Sequence, residues 1–241
     1  MWRVLLFLFV LSLSWNVRAQ SLASEIRAQV TPRDFTTISA EIAAKVERVG
    51  VREGERFTKG QNIIAFDCSL HKAQLDEAKA AVVAAEKTKD VNKRLLELQT
   101  IGQLEHEVSI AEAEKAKARL AGMAATFSKC VIAAPFDGRV VEQKIRAQQF
   151  AQTGQALLDI LDDSILELEF VIPSKWLSWL KIGHVFQVNI EETGKNYPAK
   201  LSRIGAKIDP VSQSIKIMAE INGRFAELVS GMSGRVMLSP P

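Results

Sequence analysis

Residues 69–127 read SLHKAQLDEAKAAVVAAEKTKDVNKRLLELQTIGQLEHEVSIAEAEKAKARLAGMAATF, with Cys68 directly before them and Cys130 just behind. The stretch has no proline and is rich in Ala, Leu, Glu, Lys and Gln, the strong helix formers. Apolar residues recur at Ala78, Val82, Ala85, Val91, Leu95 and Leu98. They return at Leu104, Val108, Ala111, Ala118, Gly122 and Ala125, a heptad-like spacing on both sides of residue 100. Gly102 suits the left-handed position that ends a helix, and Glu105 and Glu107 then favour the positive end of the next one. Glu112–Lys115 and Glu114–Lys117 are three apart, as charge pairs on an outer face are. The pattern predicts an antiparallel coiled-coil hairpin over 68–130, each arm ~40–45 Å long at 1.5 Å per residue. Its polar faces are long and its large apolar residues few, so a projecting rod fits better than helices laid over a sheet.

The two cysteines test that geometry. Their midpoint is residue 99, so arms folding back near Thr100-Ile101-Gly102 bring Cys68 and Cys130 together at the base. A disulfide is expected there, with two buried free thiols as the alternative. No CxxC spacing is present, so the bond fixes the base rather than performing redox chemistry.

Outward from the helices the periodicity changes from about 3.6 to 2. Thr36–Asp67 alternates around Gly54 and Gly60, with Val46, Val49, Val51, Ile63, Ile64 and Phe66 spaced as core-facing strand residues. Val131–Leu161 repeats the plan at an offset of 94: Val46, Val51, Arg52, Gly60, Gln61 and Ile64 meet Val140, Ile145, Arg146, Gly154, Gln155 and Leu158. Phe57 pairs best with Phe150, one residue out of step, and Gln148 stands where Gly54 did. Two short units that cannot bury an apolar face alone would pair into one lobe, 36–67 with 131–161. Further on, Ile165–Ile172, Val185–Ile190, Tyr197–Ile208, Ile215–Ile221 and Arg235–Leu238 alternate as half-buried strands, separated by turn residues. Five or six short strands over 164–240, with a short helix opened by Pro173-Ser174, suggest a β-barrel domain. Trp176 and Trp179 on that helix plug the barrel end or form a contact patch.

The first nineteen residues read as an address. Arg3, an apolar run from Val4 to Leu13 and Val17-Arg18-Ala19 describe a signal peptide cut after Ala19. The apolar run is short for a membrane anchor. Of 31 basic and 28 acidic residues, Arg3 and Arg18 belong to this segment, so residues 20–241 carry a net charge of only +1. That leaves no concentrated positive footprint for nucleic acid. His71, His106 and His184 are scattered, with no ligand at metal spacing, and solvated helix faces account for the first two. Asp162-Asp163 and Glu191-Glu192 read as turn and surface charges. No P-loop, G-x-S-x-G or dinucleotide glycine pattern appears. No catalytic, cofactor or metal site is expected.

GVREGERFTKGQNIIAFD, a helical hairpin, and then AAPFDGRVVEQ resemble periplasmic adaptor (membrane fusion) proteins of the HlyD type, those of resistance-nodulation-division (RND) pumps above all. Asp209-Pro210-Val211-Ser212, Asn222, Leu228 and Gly231-Met232 are similar to that family's barrel signature. The resemblance covers about 36–238 and implies a split lipoyl-like (barrel-sandwich hybrid) lobe interrupted by the hairpin, then a β-barrel. It implies a non-enzymatic periplasmic protein, assembled as a hexamer, joining an inner-membrane RND-type transporter to a TolC-type outer-membrane channel. The hairpin tip, Arg94, Leu98, Ile101, Gly102, Gln103 and Glu105, would meet the channel. Arg94 and Leu98 match the family's tip pattern, while Glu105 replaces a serine and Gln213 the usual barrel arginine. Lipoyl domains that carry a covalent cofactor present a lysine where the long helical insertion stands here, which argues against a carrier. An ABC-type or type I secretion adaptor, or a stand-alone binding module using the tryptophans, is the alternative.

Overall fold

A computed structural model describes residues 26–238; the signal-peptide segment lies outside them. In chain order the elements are β1 (Ile26–Ser39), β2 (Ala44–Val49), β3 (Arg56–Phe57), β4 (Asn62–Phe66), α1 (Ser69–Glu97), α2 (Gln103–Ser128), β5 (Val131–Ala133), β6 (Gly138–Gln143), β7 (Phe150–Ala151), β8 (Ala156–Pro173), β9 (Val185–Ile190), β10 (Lys195–Asp209), β11 (Ser214–Ile221) and β12 (Ser233–Met237). The protein is mainly β with two long helices. It divides into two compact units, one holding residues 31–167 and 224–230, the other residues 26–30, 168–223 and 231–238.

In the first unit, β5, β4, β2 and β7 form one sheet in that order, while β3 pairs with β6 and β6 with the first half of β8. The two sequence repeats interleave here. Gly54 donates to the carbonyl of Val140 and Val140 returns the bond to Glu55, while Gln148 donates to Val46 and Val46 to Gln149. The second turn of each half does the same: Gly60 and Ala134 with Gln61 on one side, Gly154 and Ala40 with Gln155 on the other. Side chains repeat as well, since Glu55, Gln61, Gln149 and Gln155 each accept from the backbone N–H three residues earlier. Gly54, Gly60 and Gly154 take φ of 78°, 81° and 84°, and Gln148 matches Gly54 at 71°. Each half therefore supplies the partners that the other half's turns need.

The offset of 94 holds without slippage, which corrects the sequence alignment at one point. Phe57, 3% exposed, corresponds to fully buried Ala151, and Phe150, 57% exposed, corresponds to Arg56. An aromatic on the wrong face of its strand had suggested a false match. The core of the lobe draws on both halves, with Val46, Val51, Ile63, Ile64 and Phe66 packed with Val140, Ile145, Leu157, Leu158 and Ile160. Around it, Arg56 makes a two-pronged contact with Asp163 at 3.0 and 2.7 Å, and Asp159 accepts from Thr37 at 2.7 Å while pairing with Lys144 at 2.6 Å. Asp162 and Asp163 are thus strand residues of β8, Asp162 buried and Asp163 engaged, rather than free turn charges.

In the second unit the strand order is β1, β12, β9, β10, β11, β8, and β1 also pairs with β8. Alternation is strict: Phe186, Val188 and Ile190 on β9 and Ile215, Ile217, Ala219 and Ile221 on β11 point into the core. The short helix is a 3₁₀ turn, Ser174–Ser178, and Ser174 does not cap it; its N–H donates instead to the carbonyl of Gln213. Trp176 is buried, and half-buried Trp179 lies against it at 5.5 Å and against His184 at 5.8 Å.

A Cβ at Gly138 would stand 2.1 Å from the Leu161 carbonyl oxygen and 3.1 Å from the Phe57 ring. Backbone on a neighbouring strand cannot yield to it, so Gly138→Ala is expected to destabilise the protein by about 2 kcal/mol or more. Exposed Gly122, inside α2 with open space around it, is the control: Gly122→Ala should stabilise by roughly 0.5–1 kcal/mol through helix propensity. Urea midpoints of the two variants check both signs.

Candidate functional site

α1 has 29 residues and α2 has 26, lengths of about 43 and 39 Å. They run antiparallel, joined by residues 98–102. At their base Cys68 and Cys130 form a disulfide, with a Cα–Cα distance of 6.0 Å and a sequence separation of 62. The sheet prepares this juxtaposition. β4 leads into α1 and β5 leads out of α2, and the two strands pair through Ala65 and Val131, while the Phe66 N–H donates to the Cys130 carbonyl at 2.9 Å. Asp67 accepts the Ser69 N–H at the first turn of α1, and that bond holds its carboxyl below the usual range.

Along the pair, the buried seam keeps Ala78, Val82, Ala85 and Leu95 of the line that hydrophobic periodicity selected on α1 and departs from the one it selected on α2. On α1 it runs through His71, Leu75, Ala78, Val82, Ala85, Lys89, Asn92 and Leu95, leaving Val91 54% exposed. On α2 it runs through His106, Ser109, Ala113, Ala116, Leu120, Met123 and Phe127. Leu104, Val108, Ala111, Ala118, Gly122 and Ala125, the expected seam, are all exposed. Alanines surround α2 on every side, so periodicity singles out no face, and the tie at the base sets the register instead. Among the residues of the two helices only Leu75, Ala78, Ser109 and Ala113 are buried. Glu86 bridges the helices by accepting from Lys117 at 2.7 Å and also binds Lys89 on its own helix; Glu77 faces Arg119 at 3.5 Å. Lys117 is the main cause holding the Glu86 carboxyl below its ordinary range, with Lys89 second.

At the far end the connection turns on Gln99, whose φ is 58°, and the Thr100 N–H and hydroxyl both donate to the Leu95 carbonyl. Gly102 is extended, at φ −82° and ψ 159°, and is the residue before α2 rather than the left-handed end of α1. Arg94, Leu98, Ile101, Gly102, Gln103 and Glu105 come together at this end. Leu98 and Leu104 are 71% and 74% exposed, Ile101 is half-buried, and Gln103 donates to Glu107. Trp176 and Trp179 belong to the other unit. At the base, sequence reasoning missed His71. One of its ring nitrogens and both cysteine sulfurs lie within 4.8 Å of one another. The signal was present as Cys68-x-x-His71, one helical turn apart. No described helix is long and apolar enough to cross a membrane.

Two outcomes follow. Cys68→Ser, which releases a loop of this length, is expected to lower stability by about 4 kcal/mol on the chain-entropy account, measured by urea unfolding against oxidised wild type. A loss under about 1 kcal/mol would show that strand pairing alone holds the base. Because the Glu86 carboxyl titrates lower when folded, its contribution is intact above its unfolded value and fades as pH falls through the folded one. Glu86→Gln should flatten the fall of melting temperature between pH 5 and pH 3; a fall as steep as in wild type would contradict this.

No protein-family model matches the chain. An uncharacterised protein of Haemophilus influenzae is 25% identical over 214 residues, covering 88% of this chain and 56% of its own. The chain thus spans little more than half of that relative. Among solved structures, a MacA–MexA chimera carrying the Pseudomonas aeruginosa MexA α-hairpin domain superposes with a TM-score of 0.77 at 16% identity, over 89% of this chain and 81% of that one. The membrane fusion protein Spr0693 of Streptococcus pneumoniae gives 0.75 at 16% identity, over 88% and 96%. The chain has the fold of the membrane fusion, or periplasmic adaptor, proteins.

Proposed function

We propose that this protein is a non-enzymatic periplasmic adaptor, exported by a signal peptide cleaved after Ala19. It joins an inner-membrane transporter, of the RND type, to a TolC-type outer-membrane channel in a tripartite export complex. On this reading 68–130 is a coiled-coil hairpin, 36–67 with 131–161 a split lipoyl-like lobe, and 164–240 a β-barrel domain. The β1–β8 pairing at the ends of the six-strand order supports the barrel, and the interleaved half-repeats support the lobe.

The observation that carries the function is the helix pair itself. It is about 40 Å long, has almost no core, is tied at one end, and ends in bare leucines at the other. A protein does not maintain so much unburied helix for its own stability; such a rod is an instrument for contact. A second heptad line of small apolar side chains, Leu104, Val108, Ala111, Ala118, Gly122 and Ala125, stays exposed along α2. It suits side-by-side packing of neighbouring copies, six by resemblance, into a tube of rods. The tip then recognises the channel through Leu98 and the Arg94, Gln103 and Glu105 side chains around it. Work is done by shape and contact, with no bond made or broken.

A photo-crosslinking residue in place of Leu98 or Gln103, in cells with active efflux, is expected to capture an outer-membrane channel. The same probe at the exposed Lys87 in mid-rod should not. Capture of no outer-membrane protein from either tip position would overturn the assignment.

A further inference from the structure

The base of the helix pair gathers three metal-binding side chains that the adaptor reading leaves unused. Cys68 immediately precedes α1, His71 lies in the first turn of that helix, and Cys130 closes from the end of α2. Each offers a ligand atom, and all three atoms lie within 4.8 Å of one another. The Nδ1 of His71 is shielded from solvent and has no hydrogen-bond partner. That alone marks nothing, since His106 has an equally unpaired Nδ1; what sets His71 apart is the two sulfurs beside it. Cys130 is 5% exposed and His71 half-buried, so the site is largely screened from water.

We propose that, when the Cys68–Cys130 bond is reduced, the two thiolates and His71 hold one thiophilic divalent cation of the zinc class. The base of the rod is then clamped covalently in one redox state and by a cation in the other. The backbone needs no rearrangement. Tetrahedral zinc with sulfur at ~2.3 Å and nitrogen at ~2.0–2.1 Å separates its ligand atoms by roughly 3.5–3.8 Å. Three side chains already within 4.8 Å, on Cys Cα atoms 6.0 Å apart, reach that spacing by side-chain rotation. Two electrons and two protons pass from a dithiol reductant, which departs as its own disulfide, and the Sγ–Sγ bond becomes two thiols. The cation then displaces both thiol protons to solvent and binds the thiolates and the neutral imidazole. Two thiolate charges balance a divalent ion in this screened place, and the soft ligand set disfavours Mg²⁺ and Ca²⁺. Three protein ligands leave a fourth position for water or an outside ligand. None of this depends on the adaptor reading.

Titration of the purified, phosphine-reduced protein with Co²⁺ under argon reads the site directly. One equivalent should bind with sulfur-to-cobalt charge-transfer absorption, Zn²⁺ should displace it, and oxidised protein should bind none. His71→Ala should weaken binding at least tenfold, and Cys68→Ser should remove the charge-transfer band. Zn²⁺ should also raise the melting temperature of reduced wild type and not that of oxidised protein. Failure of reduced protein to take up stoichiometric Co²⁺ or Zn²⁺ overturns the proposal. So does His71→Ala binding as tightly as wild type, or reduced protein that loses its helices and does not regain them with Zn²⁺.

Discussion

The pairing of β4 with β5, locked by the bond between Cys68 and Cys130, is the constraint on which the molecule depends. Two helices whose seam buries only Leu75, Ala78, Ser109 and Ala113 gain little from the hydrophobic effect, because an alanine contributes a small fraction of a leucine's apolar area. Helix propensity makes each arm locally favourable but does not bring the arms together. The lobe does that, by starting one helix and ending the other on adjacent strands, so that register is set where the chain is stiffest. Ion pairs such as Glu86 with Lys117 act on a geometry already decided below them.

The lobe earns its own rigidity by exchange. Each half-repeat has turns with an N–H group whose acceptor lies on the other half: Gly54 on Val140, Gln148 on Val46, Gly60 on Ala134, Gly154 on Ala40. Neither half is satisfied alone, and separating them would strand buried backbone groups as well as expose Val46 and Val140. An excursion with a sequence separation of 62 between Cys68 and Cys130 is therefore inserted into a unit that remains cooperative across it. Such a body can carry a long helix pair without being pulled apart by it.

The same economy explains the surface. Core residues are concentrated in the lobe and in the second unit's strands, while the helices leave Leu98, Leu104 and Val108 uncovered. Apolar side chains placed where they cannot contribute to folding fit a role in association. His71 follows the opposite logic, since an imidazole beside paired sulfurs adds nothing to a disulfide's closure of the chain.

From residue order alone, the helical stretch, its reversal near residue 100, the meeting of Cys68 with Cys130, the offset of 94 and the period-2 strands could be read. Each of these is a local or additive property: propensity, spacing, arithmetic on positions. The buried face of α1 was legible through Ala78, Val82, Ala85 and Leu95, but that of α2 was beyond such a reading. Leu104, Val108 and Ala111 carry the right spacing yet face solvent, because α2 is nearly uniform around its circumference and the strands at its base choose the register. The turn is a similar case, where Gln99 rather than Gly102 takes positive φ; five residues offer more than one closure, and the inter-helix geometry selects among them. The burial of Phe57 and the exposure of Phe150 are also tertiary decisions, because they depend on which side of a strand faces a partner distant in sequence. The approach of His71 to the sulfurs was instead already written in the Cys68-x-x-His71 spacing and the meeting of the two cysteines.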